Sequence, residues 1–277
     1  MSTENSPLVP NASKILADFA SHLQYDDIPQ AVVERMKMCV LDSIGCCLHG
    51  VTLPWTKSVE NMVMDEGATP VASIFGTSQK TSVGNAALVN GTAGHAFEFD
   101  DMHKESILHP GSIAIPVLFA LVEKLGKVSG KEFLTAMVCG YEVGTRVGNA
   151  ASIQLFFDGF HPQGTSGVFV GAAAAGRMLN FNPTLMLDCL GIAGSQAGGL
   201  MAAQEGAMVK RFHSGRAAFR PIASGFAMAC AYYWLATNFI HIFIHVAYSH
   251  HTILQCHHID FLLISEYYPE CPCSLVV

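Results

Sequence analysis

Asn90-Gly-Thr-Ala-Gly-His-Ala-Phe-Glu-Phe-Asp-Asp-Met-His-Lys-Glu-Ser-Ile-Leu-His-Pro-Gly-Ser112 contains two kinds of sequence in one run. Its start is built of the small residues that let one helix lie close against another. Its remainder crowds Glu98, Asp100, Asp101, Glu105, His95, His103 and His109 into a few turns of chain. Only 13% of the 277 residues are charged, so such a density is not simply ordinary solvated surface. A carboxylate beside an imidazole holds one tautomer in place, and an imidazole exchanges protons near neutral pH; the cluster therefore points to proton transfer. The competing reading is a polar loop whose Asp side chains cap a helix and whose His side chains meet water.

On either side the chain reads as helices. Ile15, Leu16, Phe19 and Leu23 recur at helical spacing from Asn11 to Leu23, with Asn11 as the cap. Pro29 is placed as a first helical residue, Val33, Met36, Val40, Ile44 and Cys47 share a face, and Gly50 supplies the stop. Trp55 to Glu66 is a further helix, Val71 to Phe75 a short β-like run closed by Gly76, and Ser82 to Ala96 a helix packed through small residues. After the polar cluster come helices over Val117 to Leu125, Lys131 to Val147, Val168 to Leu179 and Asn182 to Ile192, the last capped by Asn182 before Pro183. The segment from Gly194 to Gly199 loosens the chain. Strand signals are nearly absent and no hairpin dipeptide divides two alternating runs, so the fold class is all-α.

Composition narrows the function. With 51% hydrophobic residues and a mean hydropathy of +0.35, the chain has ample material for a core. A formal charge of −7 without any Lys/Arg run argues against nucleic acid as a partner. Cys39, Cys46, Cys47, Cys139 and Cys189 lie on apolar helical patterns and are expected as buried free thiols in a reducing compartment. Met1 to Pro10 shows no secretory or mitochondrial pattern, which makes the cytoplasm the expected location. The expected organisation is a disordered 1–10, a helical domain over 11–230, and a divergent tail over 231–277. That tail has no Lys or Arg but carries His241, His245, His250, His251, Cys256, His257, His258, Cys271 and Cys273. Their spacing lacks the carboxylate or Cys pairs of the usual zinc motifs, so no metal is expected. Tyr232 to Ala247 is too short and interrupted to span a membrane, and no membrane partner is expected.

Three polar islands stand against the apolar helices: Glu98 to His109, His161 to Ser166, and Lys210-Arg-Phe-His213. Converging helices would let them line one pocket suited to a small polycarboxylate, with Lys210, Arg211 and protonated His neutralising its charge. Each also has a bland reading. His161 before Pro162 ends a helix, Lys210 and Arg211 form a solvated helix end, and His213 caps or packs.

Four segments together resemble the MmgE/PrpD family: Asn90 to Asp101, His109-Pro-Gly-Ser with Pro116, His161-Pro-Gln-Gly-Thr-Ser-Gly with its Ala-rich helix, and Ser195 to Leu200 through Lys210-Arg-Phe-His-Ser-Gly-Arg-Ala-Ala. The resemblance covers about Ala12 to Ala218. It implies a helical domain, followed in the family by an α/β lid for which this chain shows no pattern. It implies His109, His161 and Lys210 as catalytic, with Glu98 replacing a frequent Asp in an acidic motif that includes Asp100 and Asp101. Those three acids, with His103, Arg211 and His213, are the expected substrate-binding set. No cofactor and a homodimer are implied as well. The expected activity is dehydration of a 2-methylcitrate-like acid or decarboxylation of a cis-aconitate-like one; epimerisation of a dicarboxylate and a non-catalytic, truncated subunit are the alternatives.

Overall fold

A computed structural model describes residues 11–204 and 208–230. The expectations for 1–10 and 231–277, the His/Cys-rich tail included, lie outside the described residues.

The opening helices are α1 (Ala12–His22), α2 (Gln30–Gly50) and α3 (Pro54–Glu66), followed by α4 (Val83–Gly94) and α5 (Gly111–Leu125). Next come α6 (Gly130–Phe157), the short α7 (Pro162–Thr165), α8 (Gly167–Met178), α9 (Pro183–Ser195) and α10 (Val209–Cys230). The β-like run before Gly76 does pair: β1 (Ala72–Ser73) meets β2 (Lys80–Thr81) antiparallel. The second strand carries no sequence signal because two residues are too few to show alternation. Among the described residues the fold is all-α apart from this hairpin.

At the centre lie α4, α5 and α8, with α10 packed against all three. In α8 every residue except Arg177 is buried, which is why it shows a run of Ala and Gly rather than one apolar stripe. Small residues set the spacing of its neighbours. A Cβ on Gly140 of α6 would stand 2.7 Å from the Val170 carbonyl oxygen and 2.9 Å from Ala174 Cβ, both on α8. On Gly50 of α2 it would run into the Ala93 carbonyl of α4. Among the described residues no single helix is long and apolar enough to cross a membrane. Cys39, Cys46, Cys47, Cys139 and Cys189 are free and buried, as expected.

Local signals held at some helix ends and failed at others. Asn182 accepts the Leu185 amide at 3.0 Å, whereas Asn11 takes φ 68° and makes no side-chain cap. Pro29 precedes α2, which begins at Gln30. Two helices exceed their sequence limits by more than a turn. α5 starts at Gly111 rather than Val117 and contains Pro116, whose missing amide leaves the Ser112 carbonyl without its helical donor. The Ser214 hydroxyl of α10 reaches that carbonyl at 3.3 Å. α6 runs past Val147 to Phe157 through Gly148, where a Cβ would stand 2.6 Å from Ser106 Cβ. The glycine there makes room for the loop and does not end the helix.

Candidate active site

The site loop connects α4 to α5. His95 follows α4, and the chain then turns through Glu98 (φ 58°) and Ile107 (φ 52°) before His109-Pro110 enters α5. Neither residue is glycine, so each left-handed turn carries a steric cost that the tertiary contacts must offset.

Asp100 organises the loop's interior. Its carboxylate, fully buried, lies 3.1 and 3.2 Å from His95 Nδ1 and 3.3 Å from His109 Nδ1. Burial by itself would raise this acid, but the two imidazoles outweigh it and hold the carboxyl well below the usual range. An ionised carboxylate only accepts, so Nδ1 of both rings carries the hydrogen. His109 in turn titrates higher than usual, because Asp100 and then Asp101 outweigh the burial that would lower it. Among the described residues no hydrogen-bond partner stands against the buried His95 Nε2.

Asp101 has a different task. It accepts the Gly111 amide at 3.0 Å and the Tyr141 hydroxyl at 2.9 Å, and its own amide donates to Asp42. Burial and the adjacent Asp100 push its carboxyl up to about 7. For this residue the helix-capping reading describes the geometry. His103 is hydrogen-bonded to Ser106 Oγ at 2.8 Å and stands 3.6 Å from Glu105, both inside its own 103–108 turn. The Asp100 contacts described above do not include it.

The other two islands converge on the loop. The rings of His95 and His109 lie 4.7 Å apart, those of His95 and His161 6.2 Å, and those of His161 and His213 5.1 Å. Lys210 Nζ meets Glu98 at 2.8 Å and Arg211 meets the same carboxylate at 3.0 Å. One carboxylate against two cations leaves net positive charge. Lys210 is only 6% exposed, which removes the solvated-helix-end reading for it. Burial opposes ionisation of Glu98, but Lys210 and Arg211 overcome it and lower the acid. His161 is pushed down to about 2 by burial and by the surrounding His95, His213 and Lys210.

The structure thus brings Glu98, Asp100, His109, His161, Lys210, Arg211 and His213 together. Two residues left off the sequence-derived site belong with them. His95 neighbours two of the named imidazoles, and Gln163, fully buried, accepts the His109 amide at 2.9 Å while its Nε2, with two hydrogens to give, stands 3.0, 3.0 and 3.1 Å from the His109 carbonyl, Ser112 Oγ and Ser214 Oγ. The signal for His95 was its place five residues before Asp100 in the same dense run; Gln163 stands two residues after His161, but nothing local marks its partners. Several exposed apolar side chains are chain neighbours of these residues: Phe99 in the loop, Phe160 before His161 and bridged to Leu200, and Met208 and Val209 before Lys210.

His95, Asp100 and His109 also present ligand atoms within 4.8 Å of one another, a spacing open to a cation. Both Nδ1 atoms already donate to Asp100, so a cation using them would displace those hydrogens.

Residues 14–229 match the MmgE/PrpD N-terminal domain. Over 215 residues the chain is 38% identical to the cis-aconitate decarboxylase of Aspergillus terreus, covering 76% of this chain and 44% of that protein. It is 36% identical over 218 residues to the cis-aconitate decarboxylase-like protein oryM of Aspergillus oryzae, at 76% and 45%. With the cis-aconitate decarboxylase of Homo sapiens it shares 31% identity over 209 residues, at 74% and 43%. The chain spans less than half the length of these curated relatives.

Proposed function

The chain belongs to the MmgE/PrpD family, and from that premise we propose that it carries the acid-base centre of a lyase acting on a small polycarboxylate, decarboxylation of cis-aconitate being the first candidate. The observation that carries this reading is the pairing of opposites in one cluster: His109, which Asp100 keeps protonated more readily than usual, beside His161, which its surroundings keep uncharged.

In the decarboxylation one carboxylate leaves as carbon dioxide. The electron pair of the broken C–C bond forms a new double bond, and the pair of the old double bond takes a proton. His109 supplies that proton from its imidazolium, Nε2 being the nitrogen not held by Asp100. Lys210 and Arg211 bind the remaining carboxylates, with Glu98 holding the two cations in place when no substrate is bound. For dehydration of a 2-methylcitrate-like acid the same groups serve, His161 removing a proton and His109 protonating the departing hydroxyl.

Incubation with cis-aconitate and with 2-methylcitrate, followed by mass spectrometry, tests the proposal. Loss of carbon dioxide or water is expected, unchanged after dialysis against a chelator because no cofactor is required. His109→Gln is expected to slow turnover by about 10²–10⁴-fold. A folded protein that neither converts nor binds either acid would overturn the reading. Family membership also supports a homodimer, to be checked by sedimentation equilibrium; a monomer at all concentrations would refute it.

A further inference from the structure

His161 Nδ1 and His213 Nδ1 face each other at 2.9 Å, and both rings are buried. A hydrogen bond between two ring nitrogens needs one N–H and one lone pair, so the two Nδ1 atoms hold a single proton between them. The contact is built by the backbone on both sides. His161 donates its amide to the Gly199 carbonyl at 2.9 Å, and a Cβ on Gly199 would stand 3.0 Å from His213 Nδ1. A side chain at position 199 would therefore disturb the pair.

The charges around the two rings differ. His161 faces His95 from the end of α4, His109 from the start of α5, and Lys210 and His213 from α10. His213 is lowered by burial first, then by Arg216 and Lys210 from its own helix and by His95 from across the site. Positive charge on His161 is opposed by its burial and by its ring of cationic neighbours.

We propose that His213 is the positioning residue of His161 and that the pair is a two-imidazole relay. When His161 Nε2 takes a proton from the pocket, its Nδ1–H bond breaks and a new N–H bond forms at His213 Nδ1. The cation then rests on His213, and His161 stays neutral. Run in reverse, the step returns a proton to the pocket from His161 Nε2 while His213 loses its Nδ1 hydrogen to His161. The identity of the proton's partner rests on the lyase reading; the shared proton does not.

Ring-¹⁵N-labelled full-length protein, titrated by NMR, tests the pair without turnover. The expected result is that His213 takes up the cation first while His161 keeps a neutral spectrum, and that His213→Gln, which retains a hydrogen-bonding group but cannot relay, abolishes proton sharing at His161 Nδ1. Protonation of His161 before His213, or a His161 tautomer unmoved by His213→Gln, would overturn the relay. In turnover assays His213→Gln should lower kcat by on the order of 10²-fold, shift its pH profile and leave KM unchanged; an unaltered kcat and pH profile would likewise overturn it. A wild-type protein without turnover would refute the lyase reading alone, because the NMR result still decides the pair.

Discussion

Asp101 combines a structural bond and an electrostatic cost in one side chain. It ties the first amide of α5 to the Tyr141 hydroxyl of α6, yet it stands beside the ionised Asp100. Asp101→Ala removes the carboxylate to which the buried Gly111 amide and the Tyr141 hydroxyl donate, with an expected loss of about 1–3 kcal/mol by urea denaturation. Asp101→Asn retains an acceptor and removes the charge. Because the carboxyl rises from 3.8 to about 7 on folding, its stabilising effect is complete below the unfolded value and lost as pH rises through about 7. The variant should therefore lose less stability than wild type between those limits. Asp100 and Asp101 adjoin in the sequence with nothing local to tell them apart. The difference arises from which groups each meets: two imidazoles for the first, an amide and a phenol for the second.

At the scale of elements, glycine positions separate close packing from simple propensity. Gly140 and Gly144 of α6 both face Val170, and a Cβ on Gly144 would also stand 3.0 Å from Val170 Cα. Gly140→Ala and Gly144→Ala should each cost about 1–3 kcal/mol through overpacking, and less than their sum together because they press on one residue. Gly45, exposed within α2, has nothing among the described residues within 4 Å of its added Cβ. Gly45→Ala should stabilise by about 0.5–1 kcal/mol from backbone entropy alone. Chemical denaturation of the three variants in parallel checks the contrast. Periodicity and small-residue runs located α1 to α6, α8 and α9, since both are written along the chain, but neither marked α7 or α10. The start of α5 and the extension of α6 were not legible, because Pro116 and Gly148 are helix breakers unless Ser214 and the 106–108 segment stand where they do.

Over the whole molecule the buried titratable groups pull in opposite directions. His161, lowered from 6.5 to about 2 on folding, contributes stability that is present above 6.5 and lost as pH falls toward about 2. Asp101 contributes in the opposite sense up to about 7. His109, raised above 6.5, loses its contribution as pH climbs through its folded value. The two main slopes oppose each other between about 4 and 6.5, so the wild-type melting temperature should be nearly flat there and fall on both sides. His161→Gln should tilt this plateau downward with rising pH, and Asp101→Asn upward, as calorimetry across the range would register.

The helical class, the small-residue contacts and the three polar islands all follow from the order of residues, because helix periodicity, glycine and local charge density are properties of neighbouring positions. The convergence of those islands, the place of His95 beside two imidazoles, the hold of Gln163 on His109 and the facing rings of His161 and His213 were settled only by tertiary structure. Gln163 reaches its partners across 51 and 54 residues and His161 meets His213 across 52. Such pairings depend on where central helices cross, and that is set by the packing of all their faces at once.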